Sequence, residues 1–418
     1  MDKIVIEGGY KLSGEVEISG AKNSALPAMA ASLLAKGKSV IRNVPRLRDI
    51  DTFKLLLEHL GAKVEWIEQN SIEIDTSDIN CFEAPYDLVR KMRASILVLG
   101  PLIAKYNSAR ISLPGGCAIG ARPVNLHIKG MECLGADIEL EDGYIDAKAD
   151  KLRGCRIPFD IVTVTGTANV LMASSLAEGE SIIENAAKEP EIVDLCNILK
   201  KMGAEIDGEG TETIKIKGKS TLSPFEWSVI PDRIETGTFI IAAAITGSEI
   251  VIKNCIPSHS TTVLEKLRET GIEINEYENT IEVKGNGEII SADIKTSPYP
   301  GFATDMQAQF MALMTIANGV SVISETVFEN RFMHVAELMR MGADIKIDGH
   351  TAVVKGIEKL KGAPVMATDL RASASLILAG LAAEGETVLS RVYHIDRGYE
   401  NIEGKLSKIG AKIKRIPA

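Results

Sequence analysis

LLLEHLGAKVEW, Leu55 to Trp66, carries apolar residues at helical spacing up to Gly61 and then alternates apolar with charged residues. A glycine just past the last helical residue suits a left-handed C-cap, and strict alternation suits a strand with one buried face. The stretch therefore predicts helix, tight turn, strand. It recurs as KGMECLGADIEL, NILKKMGAEIDG, EKLRETGIEINE, AELMRMGADIKI and GKLSKIGAKIKR, turning at Gly135, Gly203, Gly271, Gly342 and Gly410 with a period of 68 to 74 residues.

A second helix-to-strand passage lies between these. SLLAKGKSVIRNV, SSLAEGESIIENA, AAITGSEIVIKN, TIANGVSVISET and LAAEGETVLSRV turn at Gly37, Gly179, Gly247, Gly319 and Gly385. The sixth copy is IAKYNSARISLP, with Asn107 at the turn, and asparagine is among the few non-glycine residues that visit the left-handed conformation routinely. Each repeat thus holds two helices and several strands. IVIEGGYKLSGEV near the start resembles VVKGIEKLKGAPV at 353–365, so the N-terminal strand is expected to complete the last repeat. The expected division is one three-repeat domain at 22–229 and a second made of 1–21 with 230–418. A period near 70 with mixed helices and strands favours such closed bodies over an open solenoid.

Composition narrows the class. The chain has 418 residues, 45% of them hydrophobic, enough for two soluble globular domains. No apolar run reaches the length of a membrane span, and Asp2 and Lys3 stand where a signal peptide needs apolar residues, so a cytoplasmic protein is expected. Cys81, Cys117, Cys133, Cys155, Cys196 and Cys255 form no C-x-x-C pair, which argues against a zinc site or a disulfide framework. A net charge of -10 disfavours a broad nucleic-acid surface and requires any anion site to be concentrated.

Counting back fourteen residues from the second set of turns reaches the start of each preceding helix, where orphan N–H groups favour anions. The occupants are Asn23, Arg93, Thr165, Arg233, Asp305 and Arg371, with Lys22 beside the first. Simple stacking does not require such different polar residues at one equivalent place; they read either as contributions to an asymmetric ligand site or as solvated helix starts. LPGGCAIGARP, Leu113 to Pro123, is a loop that no other repeat copies. Its proline and glycines disfavour a core strand or helix, and Arg122 is placed to perturb the thiol of Cys117, the alternative being a small buried hydrophobe. YHIDRGYE, with His394, Asp396 and Arg397, is a further polar cluster, with a surface ion-pair loop as its plainer reading. PDRIETG around Arg233 and AAKEPEIVD around Glu189 and Glu191 offer cation and carboxylate pairs around a site.

Along its whole length the chain resembles the enolpyruvyl transferases. The segments that carry the resemblance are SGAKNSALP at 19–27, MRASILVLGPL at 92–102, LPGGCAIGARPV at 113–124, PDRIETGTF at 231–239, TDMQAQF at 304–310, ETVFENRFMH at 325–334, ATDLRASASL at 367–376 and YHIDRGYE at 393–400. The cysteine loop is similar to that of the branch whose acceptor is UDP-N-acetylglucosamine. The resemblance implies two inside-out α/β barrels of three units each, with the site in the cleft between them. It also implies transfer of the enolpyruvyl group of phosphoenolpyruvate to the 3'-hydroxyl of that acceptor, with release of phosphate, at the start of peptidoglycan precursor synthesis. No metal or organic cofactor is implied, and no obligate protein partner, nucleic acid or membrane.

The same resemblance implies roles. Lys22, Arg122, Arg371 and Arg397 would neutralise and aim phosphoenolpyruvate, Asn23 would touch both substrates and Arg93 the nucleotide sugar. Asp305 would accept the hydroxyl proton, and Cys117 would protonate the methylene carbon and be alkylated by the family's epoxide inhibitor fosfomycin. Arg122, Pro123, Val124, Asn125, Leu126, Thr163, Val164 and Val327 would line the nucleotide. Two competing readings are the shikimate-phosphate branch of the same superfamily, which lacks this cysteine loop, and a six-unit nucleic-acid clamp. A clamp would repeat basic residues around its ring, whereas the aligned positions here hold Asn, Thr and Asp as well as Arg.

Overall fold

The computed structural model describes residues 2–113 and 124–417. Cys117, Arg122 and Pro123 lie outside the described residues. The chain divides into two compact units, one of residues 20–113 and 124–230, the other of residues 2–19 and 231–417.

Each unit contains three four-stranded sheets of one design. A short edge strand runs parallel to the strand after the repeat's first helix, and two antiparallel strands follow. In the first unit the orders are Glu226–Ser228, Lys38–Arg42, Ser71–Asp75, Lys63–Glu68; then Glu83–Ala84, Ser108–Ser112, Tyr144–Lys148, Asp137–Glu141; then Arg156–Pro158, Glu180–Glu184, Thr213–Lys217, Glu205–Asp207. The second unit repeats this with sheets centred on Glu249–Lys253, Val320–Ser324 and Glu386–Ser390.

Closure comes from the far end of each unit. Glu226–Ser228 pairs in parallel with Lys38–Arg42, Trp227 opposite Ile41. In the second unit Ser13–Glu17 pairs with Glu249–Lys253, and Lys3–Glu7 lies between Glu386–Ser390 and Lys412–Ile416. Lys3–Glu7 thus occupies the place in its sheet that Thr351–Lys355 occupies in the preceding one.

The helices divide by burial. Val164–Ser174, Arg233–Ile245, Gln307–Met314 and Leu370–Ala382 are buried on nearly every side after their first turn. A helix apolar all round must lie in a core, and in the second unit three such helices pack on one another. Lys22–Ala31, Leu99–Tyr106 and Val164–Ser174 are their counterparts in the first. The helices of the first-quoted repeat instead bury one face: in Arg48–His59 it carries Ile50, Phe53, Leu56 and Leu57. Helices inside and sheets outside make each unit an inside-out α/β barrel. Among the described residues no helix is long and apolar enough to cross a membrane.

The turns are left-handed as their residues require. All six glycines of the first set have φ between 87° and 111°, and Asn107 closes Leu99–Tyr106 at φ 60°. The sequence reading did not single out a third set, Asn43, Asn185 and Asn254, at φ 56°, 54° and 54° just after a strand. Their side-chain amides donate to the carbonyls of Val229, Phe159 and Ile18 at 3.0, 3.0 and 2.7 Å, pinning the end of each parallel edge strand.

Gly203, at φ 111°, has nothing within 4 Å of where a Cβ would stand. Gly203→Ala therefore tests backbone strain alone: it should cost about 1–2 kcal/mol, seen as a lower denaturant midpoint at unchanged m-value.

Candidate functional site

In the second unit a charged cluster forms around Asp305. This residue lies in the 3₁₀ turn Thr304–Met306 that leads into helix Gln307–Met314. Its Oδ1 accepts from Arg331 Nη2 at 2.6 Å and its Oδ2 from Arg371 Nη2 at 3.0 Å. Both arginine side chains are almost wholly buried, 3% and 6% exposed, while that of Asp305 is 30% exposed. Two buried guanidiniums converge on one carboxylate that still reaches solvent. A buried guanidinium demands such a partner, because breaking a buried pair costs about 3–5 kcal/mol. Burial alone would lower the pKa of Arg371, but its interactions with Asp305 first, and then with Tyr399 and Asp232, outweigh it and hold the group firmly protonated.

Local structure fixes each member. Arg371 is the second residue of helix Leu370–Ala382, whose N-cap Asp369 accepts from the Arg371 and Ala372 N–H groups at 2.8 and 3.1 Å. Glu325, 1% exposed, accepts from Thr296 Oγ1 and the Val327 N–H with one oxygen and from Thr304 Oγ1 with the other. It therefore ties half-exposed Val327 to the residue before Asp305. Arg331 and Glu325 both lie in the quoted segment ETVFENRFMH, yet spacing did not distinguish them from its other charges.

Arg397 ends the 3₁₀ turn Val392–Arg397 and is half-buried. Burial, and next the charge of Arg397, lower the pKa of His394. Asp396 instead takes Arg415 Nη1 and Nη2 at 3.1 and 2.6 Å, so this part of YHIDRGYE is an ion pair. Arg233 lies 5.5 Å from the centre of the Tyr299 ring, and Glu235 two residues on is buried against Lys405 at 2.7 Å.

In the first unit Lys22, the first residue of helix Lys22–Ala31, pairs with buried Asp49 at 2.9 Å, while Asn23 is exposed. The helix start is held by Asp194, which accepts from Ser24 Oγ and from Trp227 Nε1 at 2.9 Å. Arg93 begins a 3₁₀ turn, Arg93–Val98, that runs into Leu99–Tyr106. Arg93 and Asp305 are thus at helix starts as counted, in tighter turns than the α-helices expected.

Beside Arg93 lies a polar network in the core. Asn169 Oδ1 accepts from the Gly100 N–H at 2.9 Å, and its amide donates to the Ile96 carbonyl and to His127 Nδ1, both at 2.8 Å. Nδ1 is therefore an acceptor, which leaves the His127 proton on Nε2, facing Thr165 Oγ1 at 3.3 Å. Thr163 Oγ1 accepts from the Gly166 N–H as a helix cap, and Val164 beside it is exposed. Asn125, exposed, starts the helix that carries buried Leu126 and His127, with Val124 just before it.

Burial, and next the charge of Arg93, push the His127 pKa down to about 4. The unfolded chain then binds a proton near pH 6.5 that the folded chain refuses, so this contribution to stability is complete above about pH 6.5 and is lost as pH falls toward 4. Unfolding free energies from denaturant titrations between pH 7 and 4 should fall less steeply in His127→Gln than in the wild type, by up to about 1.4 kcal/mol per pH unit.

The family model for EPSP synthase (3-phosphoshikimate 1-carboxyvinyltransferase) matches residues 6–406. Proteins named UDP-N-acetylglucosamine 1-carboxyvinyltransferase from Geobacter metallireducens and Thermodesulfovibrio yellowstonii are 61% and 60% identical, each alignment covering the whole of both chains. The crystal structure of the enolpyruvyl transferase NikO from Streptomyces tendae matches with a TM-score of 0.89 at 26% identity, covering 100% of this chain and 99% of that one. EPSP synthase from Acinetobacter baumannii shares the fold, with a TM-score of 0.78 at 18% identity and full coverage of both chains. The chain belongs to the EPSP synthase family of enolpyruvyl transferases, in the group of the UDP-N-acetylglucosamine 1-carboxyvinyltransferases.

Proposed function

We infer that this enzyme transfers the enolpyruvyl group of phosphoenolpyruvate to the 3'-hydroxyl of UDP-N-acetylglucosamine and releases phosphate, a step of peptidoglycan precursor synthesis. The observation that carries this is identity of about 60% from end to end with relatives named for the reaction. The fold alone does not choose the acceptor, since EPSP synthases share it at 18% identity. A phosphate-release assay chooses: turnover with UDP-N-acetylglucosamine and none with shikimate 3-phosphate is expected, and the reverse would overturn the reading.

In the addition step the 3'-oxygen bonds to C2 of phosphoenolpyruvate while a proton adds to its C3. In the elimination step the C2–O bond to phosphate breaks and C3 gives up a proton, restoring the vinyl group. Lys22, Arg122, Arg371 and Arg397 neutralise the phosphate and carboxylate and so favour the crowded anionic intermediate. Asn23 and Arg93 hold the sugar nucleotide, and Val124, Asn125, Leu126, Thr163, Val164 and Val327, with Arg122 and Pro123, line its nucleoside. Asp305 takes the hydroxyl proton. A carboxylate between Arg331 and Arg371 is a weak base until something draws their charge away. Phosphoenolpyruvate, bringing a phosphate and a carboxylate to this cluster, competes for both guanidiniums and leaves Asp305 freer to accept a proton. Base strength then arrives with the substrate.

Asp305→Asn keeps the shape and one accepting oxygen but leaves one buried guanidinium without its partner, so it should melt at a lower temperature than the wild type and still bind UDP-N-acetylglucosamine when assayed well below that temperature. It should lose at least about a hundredfold in turnover, the lower end of a general-base contribution; near wild-type turnover would remove Asp305 from the chemistry.

Cys117 donates the proton to C3 in this reading. Cys117→Asp, still a proton donor but a poor epoxide opener, should retain measurable turnover and resist fosfomycin. Mass spectrometry of the wild type should place the adduct on Cys117, and an adduct on any other cysteine would contradict the assignment.

A further inference from the structure

We propose that Tyr399 is a positioning residue for the transfer reaction, its buried hydroxyl setting the orientation of the Arg371 guanidinium toward phosphoenolpyruvate. This rests on the role given above to Arg371.

Tyr399 is 2% exposed, and its hydroxyl meets one polar side chain from each of the three helices at the centre of its unit. Arg371 Nη1 of helix Leu370–Ala382 donates to it at 3.4 Å, and Gln309 Nε2 of helix Gln307–Met314 at 3.3 Å. Thr238 Oγ1 of helix Arg233–Ile245 lies 2.8 Å away. Arginine and the glutamine amide nitrogen only donate, so they occupy the accepting side of the phenol oxygen, and its proton must go to Thr238. Thr238 passes its own proton to the Ile234 carbonyl at 2.8 Å. Gln309 Nε2 also donates to Thr238 Oγ1 at 3.4 Å, bridging the two hydroxyls, and the accepting side of the phenol oxygen is filled by Arg371 and Gln309.

That saturation makes the contact directional. Arg371 extends Nη2 to Asp305 at 3.0 Å and Nη1 to Tyr399, so two fixed points set the plane of its fork. The guanidinium carbon lies 5.7 Å from the centre of the Tyr399 ring, so hydroxyl and ring both bound its movement. Gly398, the residue before Tyr399, packs closely on the Leu370 side chain. A Cβ at Gly398 would stand 2.5 Å from Leu370 Cδ2, on the first residue of the helix that carries Arg371. Burial first raises the phenol's pKa, with Arg371 and Thr238 opposing, so the neutral hydroxyl is the form that serves here. When substrate draws Arg371 away from Asp305, Tyr399 is the contact that remains to hold the fork in place.

Steady-state kinetics of the full chain test this. Tyr399→Phe keeps the ring and deletes only the hydroxyl. Its KM for phosphoenolpyruvate should rise about tenfold, as loss of a hydrogen bond to a charged group implies, while KM for UDP-N-acetylglucosamine stays within about twofold. Thr238→Val, which removes the acceptor of the tyrosine proton at constant volume, should move the same constant in the same direction by a smaller factor, and carries the test if Tyr399→Phe does not fold. Unchanged constants for both substrates, or equal rises in both with a lower melting temperature, would overturn the proposal. Arg371→Ala separates the two levels. If it leaves the phosphoenolpyruvate KM unmoved, the role of Arg371 falls and this inference with it; if it raises that KM while Tyr399→Phe does not, the inference alone fails.

Discussion

Helices that are apolar on every side can be satisfied only at the centre of a unit, and the rest of the architecture follows from that constraint. Once the three central helices of a unit are buried against one another, the sheets have only the outside left, each giving one face to the helices and one to water. Charged side chains are then kept out of the helix middles and confined to their ends. Arg371 and Asp305 stand at such ends, as do Lys22 and Arg93 in the other unit.

Charges at those ends are close to a low-dielectric core and must be neutralised locally. The two units meet this in similar ways. Lys22 is paired with Asp49, and Asp194 secures the same helix start through Ser24 and Trp227. Asp305 is shared by Arg331 and Arg371. Such pairs are held tightly because leaving one partner alone in the interior is expensive. A ligand with a phosphate and a carboxylate would bring its own compensation, so a cation leaving a carboxylate for it would not be stranded.

The polar residues just inside the core act as registers between helices. Asn169 joins its helix to the Gly100 N–H and the Ile96 carbonyl and to His127, while Tyr399 joins Thr238, Gln309 and Arg371. Buried hydrogen bonds of this kind are directional where apolar packing is not, so they fix how one helix is rotated against the next.

The repeat, the six left-handed turns, the alternation of strands and the choice of helix starts were legible in the sequence because each is a local matter of backbone freedom or of apolar period. Gly61 and its five equivalents declare a positive φ without reference to any distant residue, and Asn107 does so as the residue most tolerant of it. Lys22, Arg93, Asp305 and Arg371 were legible because six copies of one unit made their differences visible. Arg331, Glu325, Asp194, His127 and Tyr399 were not, since each is one polar residue among many in its segment and acquires its meaning from a partner dozens or hundreds of positions away. The sequence by itself determined what each repeat must be. Which strand closes the first unit, which cations share Asp305 and which hydroxyl orients Arg371 were decided by tertiary structure, because pairing across a core depends on distance in space, and no local period records it.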